Sequence, residues 1–281
     1  MPADIQTGST GIAVIDQSAQ QLVQTGYLHN HARMWLASYI VHIRKVHWRV
    51  GAAWMYGHLL DGDLASNTLS WQWVAGTGSS KPYVFNAENV TKYAPAAWHS
   101  ESTALDNSYE QLADIARSPR AILPAPNTVK QSALFDAASN LNSLPRGIEK
   151  SVALQDKAVL LIHPWSLGEL PLDLAPDTFV VGVLDEAFHA AHPWSELRWA
   201  WVMARMHQLC HAVIAPSTDT LQAMLDKACS VQYAHNPHAA WLNKITHAQL
   251  TVSQLPKLFT DVDKYCKSFS AWWNKAKMHP I

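Results

Sequence analysis

Asn30, Arg33 and Met34 lie three and four residues apart, so on a helix they share one face. Arg33 is a fixed cation that could pair with a carboxylate such as Asp61 or Asp63. Asp63, Asn67 and Trp71 recur every four residues and would also share a face if that segment is helical. A neutral amide such as Asn67, beside a redox cofactor, can hydrogen-bond to either protonation state. A carboxylate there would oppose negative charge. Trp71 and Trp73 flank Gln72 and so point in different directions, which lets one face inward as an electron relay and the other stack on a ligand. Trp48 is the natural next hop if the helices bring it against Trp71. Together these types can seat a flavin and pass electrons to it. The plain alternatives are an ordinary buried ion pair for Arg33 and core packing for the tryptophans.

The elements that must position these residues read as helices. Ile12–Thr25 has helical spacing and ends at Gly26. Leu28, Ala32, Trp35, Leu36, Tyr39, Ile40 and Ile43 form one apolar stripe. A further helix is expected from about Arg49 to Leu60, stopping at Asp61-Gly62, and another from near Leu64. Between 118 and 156 the texture changes, with Pro119, Pro124, Pro126, Pro145 and Gly147 breaking regular structure. One short helix near Val129–Ala138 fits there. From Lys157, β-type runs at 158–164, 178–185, 211–217 and 230–236 alternate with helix-like stretches at 195–209 and 218–228. That alternation predicts a parallel sheet. A Lys- and aromatic-rich helix is expected over Thr260–Met278. The resulting domains are a helical 1–118, a Pro/Asn/Ser-rich linker 119–156 and an α/β domain 157–281.

The chain has 281 residues, of which 48% are hydrophobic and 15% charged, enough for a sizeable core. Thirteen tryptophans are many for this length and would mostly fill core space. A net charge of −1 argues against strong autonomous DNA binding. Cys210, Cys229 and Cys266 lie far apart, so no zinc or iron–sulfur set is expected, and free thiols fit a reducing cytoplasm. No His/Asp/Glu set has metal-ligand spacing. The N-terminus lacks a signal-peptide pattern, and the longest apolar run is too short to span a bilayer.

The stretch from HNHARM through DGDLASN to WQW resembles the flavin-binding core of the DNA photolyase/cryptochrome family, without gaps from about Thr10 to Gly78. Lys81–Asn86 follows the pattern more loosely. The resemblance implies FAD as cofactor. It implies that Asn30 lies between flavin and lesion pocket, and that Arg33 and Asp61 pair against the ring. Asp63 would hold the flavin's polar edge, and Asn67 would face its N5. Trp71 and Trp48 would be the first two members of the electron chain. Met34 and Trp73 would line the cavity for a flipped pyrimidine dimer. The expected reaction is light-driven electron transfer from FAD to a DNA lesion, a photolyase-type lyase activity, or else blue-light sensing.

Some positions depart from the family pattern. His31 stands where repair enzymes usually carry Arg, Tyr27 where Trp is common, and Thr68-Leu69-Ser70 where Asn-Gly-Gly is usual. In the family a helical stretch before this segment supplies the FAD phosphate cradle, a third tryptophan and part of the lesion pocket, and it does not precede Thr10 here. The alternative expectation is therefore an inactive relict or interaction module, or a site completed by a second polypeptide. Residues 157–241 resemble, more weakly, the family's parallel α/β antenna domain, which would reverse the family's domain order. The antenna pigment is left open. His163, Trp165, Asp185 and Ser217 would stand at the carboxyl ends of its strands, where ligands usually bind, or act as caps and turns. His207 and His211 read as surface or satisfied core residues. The expected fold is thus α plus α/β, with no membrane segment.

Overall fold

The computed structural model describes residues 1–78, 81–119, 141–254 and 257–278. It divides into two compact units, one of Met1–Gly147 with Glu186–Ala204, the other of Ile148–Asp185 with Arg205–Ile281.

The first unit is built on helices. A short α1 (Ala3–Gln6) leads to α2 (Ala13–Thr25), which buries Val14, Ile15, Ala19 and Leu22. Gly26 ends α2 at φ 67°, and a Cβ there would stand 2.5 Å from Leu60 Cγ, so both backbone and space require glycine. Next comes α3 (Asn30–Ser38), which runs into a single π turn, Tyr39–Ile43. The expected stripe of Leu28, Ala32, Trp35, Leu36, Tyr39, Ile40 and Ile43 is buried along its whole length. Below it Arg44 and Asp4 form an ion pair at 2.6 Å with both side chains 1% exposed, tying the first turn of chain to the core. Helices α4 (Trp48–His58) and α5 (Leu64–Ala75) follow, then α6 (Ala87–Tyr93) and α7 (Tyr109–Arg117). A capping box at Ser108 and Gln111 starts α7.

A later stretch also belongs to this unit. Strand β1 (Leu141–Asn142) pairs antiparallel with β4 (Trp194–Ser195), which lies between α8 (Glu186–Ala191) and α9 (Glu196–Leu209). The expected boundaries at 118 and 156 therefore need correction. Part of the expected linker forms a strand, and Glu186–Ala204, expected in the α/β domain, groups with the helices. The helix expected near 129–138 lies outside the described residues.

The second unit holds a five-stranded parallel sheet in the order β5-β3-β2-β6-β7. Its strands are β2 (Ala158–Ile162), β3 (Phe179–Val183), β5 (Ala212–Ile214), β6 (Ser230–Ala234) and β7 (Leu250–Ser253). The chain steps outward from β2 through β3 to β5, then restarts on the other side of β2, a doubly wound order. Helix α10 (Thr218–Leu225) covers part of one face through Leu221 and Leu225, which join Val159, Leu161, Val181 and Val183 in the core.

The expected Thr260–Met278 helix shrinks to α11 (Phe269–Trp273), with Phe259 and Met278 bridged antiparallel. Phe269 is 72% and Tyr265 88% exposed, so no buried face supports a longer helix. Among the described residues, no helix is long and apolar enough to cross a membrane.

Candidate functional site

One cavity of about 400 Å³ opens in the helical unit. Its wall combines Asn30, Arg33, Met34 and Ala37 of α3, Met55 and Leu59 around the end of α4, the turn Asp61-Gly62-Asp63, and Ser66, Asn67, Leu69, Ser70, Trp71, Trp73 and Val74 of α5. The size lies within the usual range for small-molecule pockets, about 300–1,000 Å³. Every residue expected at the flavin and lesion site, Trp48 apart, stands in this wall. Trp48 lies in the same hydrophobic core, stacked near His47 and under the Arg49 guanidinium.

Local geometry fixes each side chain. Arg33 Nη2 donates to both oxygens of Asp61 at 3.0 and 2.8 Å, while its Nε donates to Leu28 O at 2.8 Å. The pair is partly exposed, 26% and 52%, rather than the buried pair that an ordinary helix–helix contact would give. It clamps the start of α3 to the turn before α5. Asp63 is the N-cap of α5, its Oδ1 accepting from Ser66 N at 2.7 Å. Asn30 Nδ2 reaches Met34 Sδ at 3.5 Å.

Asn67 Nδ2 donates to Ala52 O at 2.9 Å, which commits one amide N–H to α4 and leaves the side-chain carbonyl as the acceptor and the second N–H as a donor. Trp71 is 2% exposed and lies flat against Gly51, where a Cβ would come within 2.3 Å of its ring. Trp73 is 47% exposed at the rim beside Tyr83, ring centroids 5.4 Å apart. The two tryptophans thus take the inward and outward positions that their spacing implies.

Burial disfavours the charged form of the neighbouring histidines. His58, at the end of α4, is pushed down to about 4 by burial. His42 Nε2 donates to Val74 O, 2.8 Å away, and burial lowers its pKa too.

Met55, Leu59, Gly62, Ser66, Ser70 and Val74 were not foreseen as wall residues, although the four-residue spacing of Ser66 with Ser70 and of Met55 with Leu59 is visible. Arg198 was not foreseen either. Its guanidinium donates to Tyr56 O and, at 3.1 Å, to Gly62 O, across 136 positions of sequence that carry no local sign of the contact.

In the α/β unit the residues expected at strand ends do structural work. His163 is 1% exposed, bonded to Ala234 O at 2.8 Å and accepting from Trp165 N. Ser217 caps α10. Trp165 stacks on His238, and His211 Nδ1 accepts from Val180 N. Asp185 stands two residues beyond the end of β3. Among the described residues no group of three or more His, Cys, Asp or Glu could hold a metal ion.

Residues 3–102 match the family model described as the FAD binding domain of DNA photolyase. The likeness to this model is therefore confined to about the first third of the chain. The deoxyribodipyrimidine photo-lyase of Salmonella typhimurium is 41% identical over 86 residues, covering 31% of this chain and 18% of that protein. That of Streptomyces griseus is 46% identical over 74 residues, 26% and 16% of the two chains. The mitochondrial enzyme of Saccharomyces cerevisiae is 40% identical over 93 residues, 32% and 16%. The chain therefore spans less than a fifth of the length of these photolyases. An archaeal photolyase structure from Sulfolobus tokodaii, described with two FAD molecules, is similar at 29% identity over 44% of this chain and 30% of that one, with a TM-score of 0.33. The cavity wall, from Asn30 to Val74, lies entirely inside the photolyase-matched stretch. Arg198 and the whole α/β unit lie outside it.

Proposed function

We propose that the helical unit holds the isoalloxazine end of FAD and serves light-driven electron transfer to a pyrimidine lesion in DNA. The observation that carries this is the single cavity wall joining Arg33–Asp61, Asn67, Trp71 and Trp73. The donor set fits the ring. Asn67 would meet it with its amide, held in place by one N–H on Ala52 O, its carbonyl and second N–H remaining for the ring. The Arg33–Asp61 clamp offers a fixed dipole at the edge, and Met55, Leu59 and Val74 supply an apolar bed. Bound, reduced and excited by blue light, FAD would supply the electron. Trp71, a buried member of that wall, would pass electrons inward toward Trp48, which shares its hydrophobic core. Exposed Trp73 would give a flipped base a stacking surface at the mouth, with half-buried Met34 in the same wall.

The pyrophosphate is less well matched. Arg33 is the cation among the described wall residues, and Asp61 already holds it, with Asp63 alongside. This favours a second reading, in which another polypeptide completes the phosphate side or the chain acts as a binding module without repair. Titrating the purified chain with riboflavin and with FAD separates these. Similar affinity for both means that only the ring end is held. Much tighter FAD binding means that a phosphate site exists. A colourless chain whose spectrum and fluorescence ignore both flavins overturns the flavin reading.

A further inference from the structure

Arg198 is a buried cation, 4% exposed, whose hydrogen bonds go to backbone carbonyls. Tyr56 O is one of the last carbonyls of α4, left without an intrahelical partner. Gly62 O belongs to the turn that follows. One planar guanidinium therefore spans the end of α4 and the turn that carries Asp61 and Asp63. A cation at a helix C-terminus is also favoured by the helix dipole.

The arginine is itself held. Its carbon centre sits 4.0 Å from the Trp194 ring and 4.6 Å from that of Tyr56. Trp194 packs on Trp199, ring centroids 4.7 Å apart, and Trp199 Nε1 donates to Asn142 O at 2.9 Å. The backbone of α4 lies close beneath, since a Cβ on Gly57 would come within 2.7 Å of Leu141 and of Pro193 O. The β1–β4 ribbon thus forms a fixed mount for the guanidinium. Gly62 lines the cavity, and a Cβ there would stand 3.0 Å from Arg198 Nη1, so the charge lies one residue behind the wall.

We propose that Arg198 is a positioning residue of the flavin site, fixing the Asp61-Gly62-Asp63 turn from behind and placing a positive charge under the flavin's polar edge. The inference rests on the flavin reading above and extends the site to a segment outside the photolyase-matched stretch. Lysine cannot replace the fork, because an ammonium cannot hold two diverging carbonyls in one plane.

The test uses the full chain with R198K, R198M and G62A, and V14A as a destabilised core variant remote from the cavity. Amide hydrogen exchange is measured without ligand, then riboflavin affinity and the midpoint potential of bound riboflavin. Exchange at residues 59–64 should rise about tenfold in both Arg198 variants, and riboflavin should bind about tenfold more weakly even in R198K, which keeps the charge. G62A, which crowds Nη1, should behave likewise. The potential should fall in R198M, where the cation is lost, and stay unchanged in V14A. Wild-type exchange at 59–64 with wild-type riboflavin affinity in R198K and R198M overturns the inference while leaving the flavin reading intact. If the unsubstituted chain binds neither riboflavin nor FAD, the flavin reading falls first and the role of Arg198 in that site falls with it.

Discussion

Asn67 has little freedom. One N–H of its amide is bound to Ala52 O across the α4–α5 contact, which fixes the side chain and leaves its carbonyl and second N–H for a ligand. N67D removes that donor, leaves Ala52 O without it, and sets a negative charge against the ring. The expected result is weaker binding of reduced than of oxidised riboflavin relative to the parent chain, read as a lowered midpoint potential. Arg33–Asp61 makes a different point. A partly exposed pair of this kind contributes only about 0–1 kcal/mol to folding. D61N should therefore leave the melting temperature nearly unchanged and still weaken riboflavin binding, since the clamp between α3 and the turn is lost. A large loss of stability in D61N would show that the pair serves the fold instead.

Among elements, the contact between α4 and α5 sets the site, and Gly51 sets that contact. Trp71 occupies the space a Cβ would fill. G51A should cost about 1–3 kcal/mol through overpacking, seen as a lower melting temperature with a changed tryptophan emission from the displaced ring. An unchanged emission spectrum would place Trp71 elsewhere. These helices were legible because their signals are local. Gly26 closes α2, Asp63 caps α5, and the apolar stripe from Leu28 to Ile43 repeats at helical spacing. The strands of the sheet were equally plain, as short apolar runs ending in turn residues. The exception is β7, whose Leu-Thr-Val-Ser alternates half-buried and exposed positions and so offers no continuous apolar run. The overlong C-terminal helix came from composition without a buried face to sustain it. The site was legible for the same reason as its helices, since its wall comes from one continuous stretch. Arg198 was not, because nothing near it in sequence reports a carbonyl 136 positions away.

For the whole molecule, acid should find a specific weakness in the helical unit. His58 is lowered to about 4 and His189 to about 3, both chiefly by burial. An unfolded histidine titrates near 6.5. The unfolded chain therefore binds more protons than the folded one below that value. Stability contributed by keeping these rings neutral is present above about pH 6.5 and is lost as pH falls toward 4 and then 3. Near pH 5, unfolding should take up about two protons through these groups, measurable from the pH dependence of the denaturation midpoint. H58Q, which cannot ionise, should flatten that dependence by about one proton. A stability curve that stays level between pH 7 and 4.5 would contradict the burial of both rings.

The stretch Glu186–Ala204 has a further consequence for inheritance. The polypeptide passes from helical unit to sheet unit after Gly147, returns after Asp185, and leaves again after Ala204. No single cut in the gene separates the two units. A recombination event that exchanged the sheet alone would carry off part of the helical unit, including Trp194, Arg198 and Trp199. An exchange that kept both units whole would need a junction at each of the three crossings.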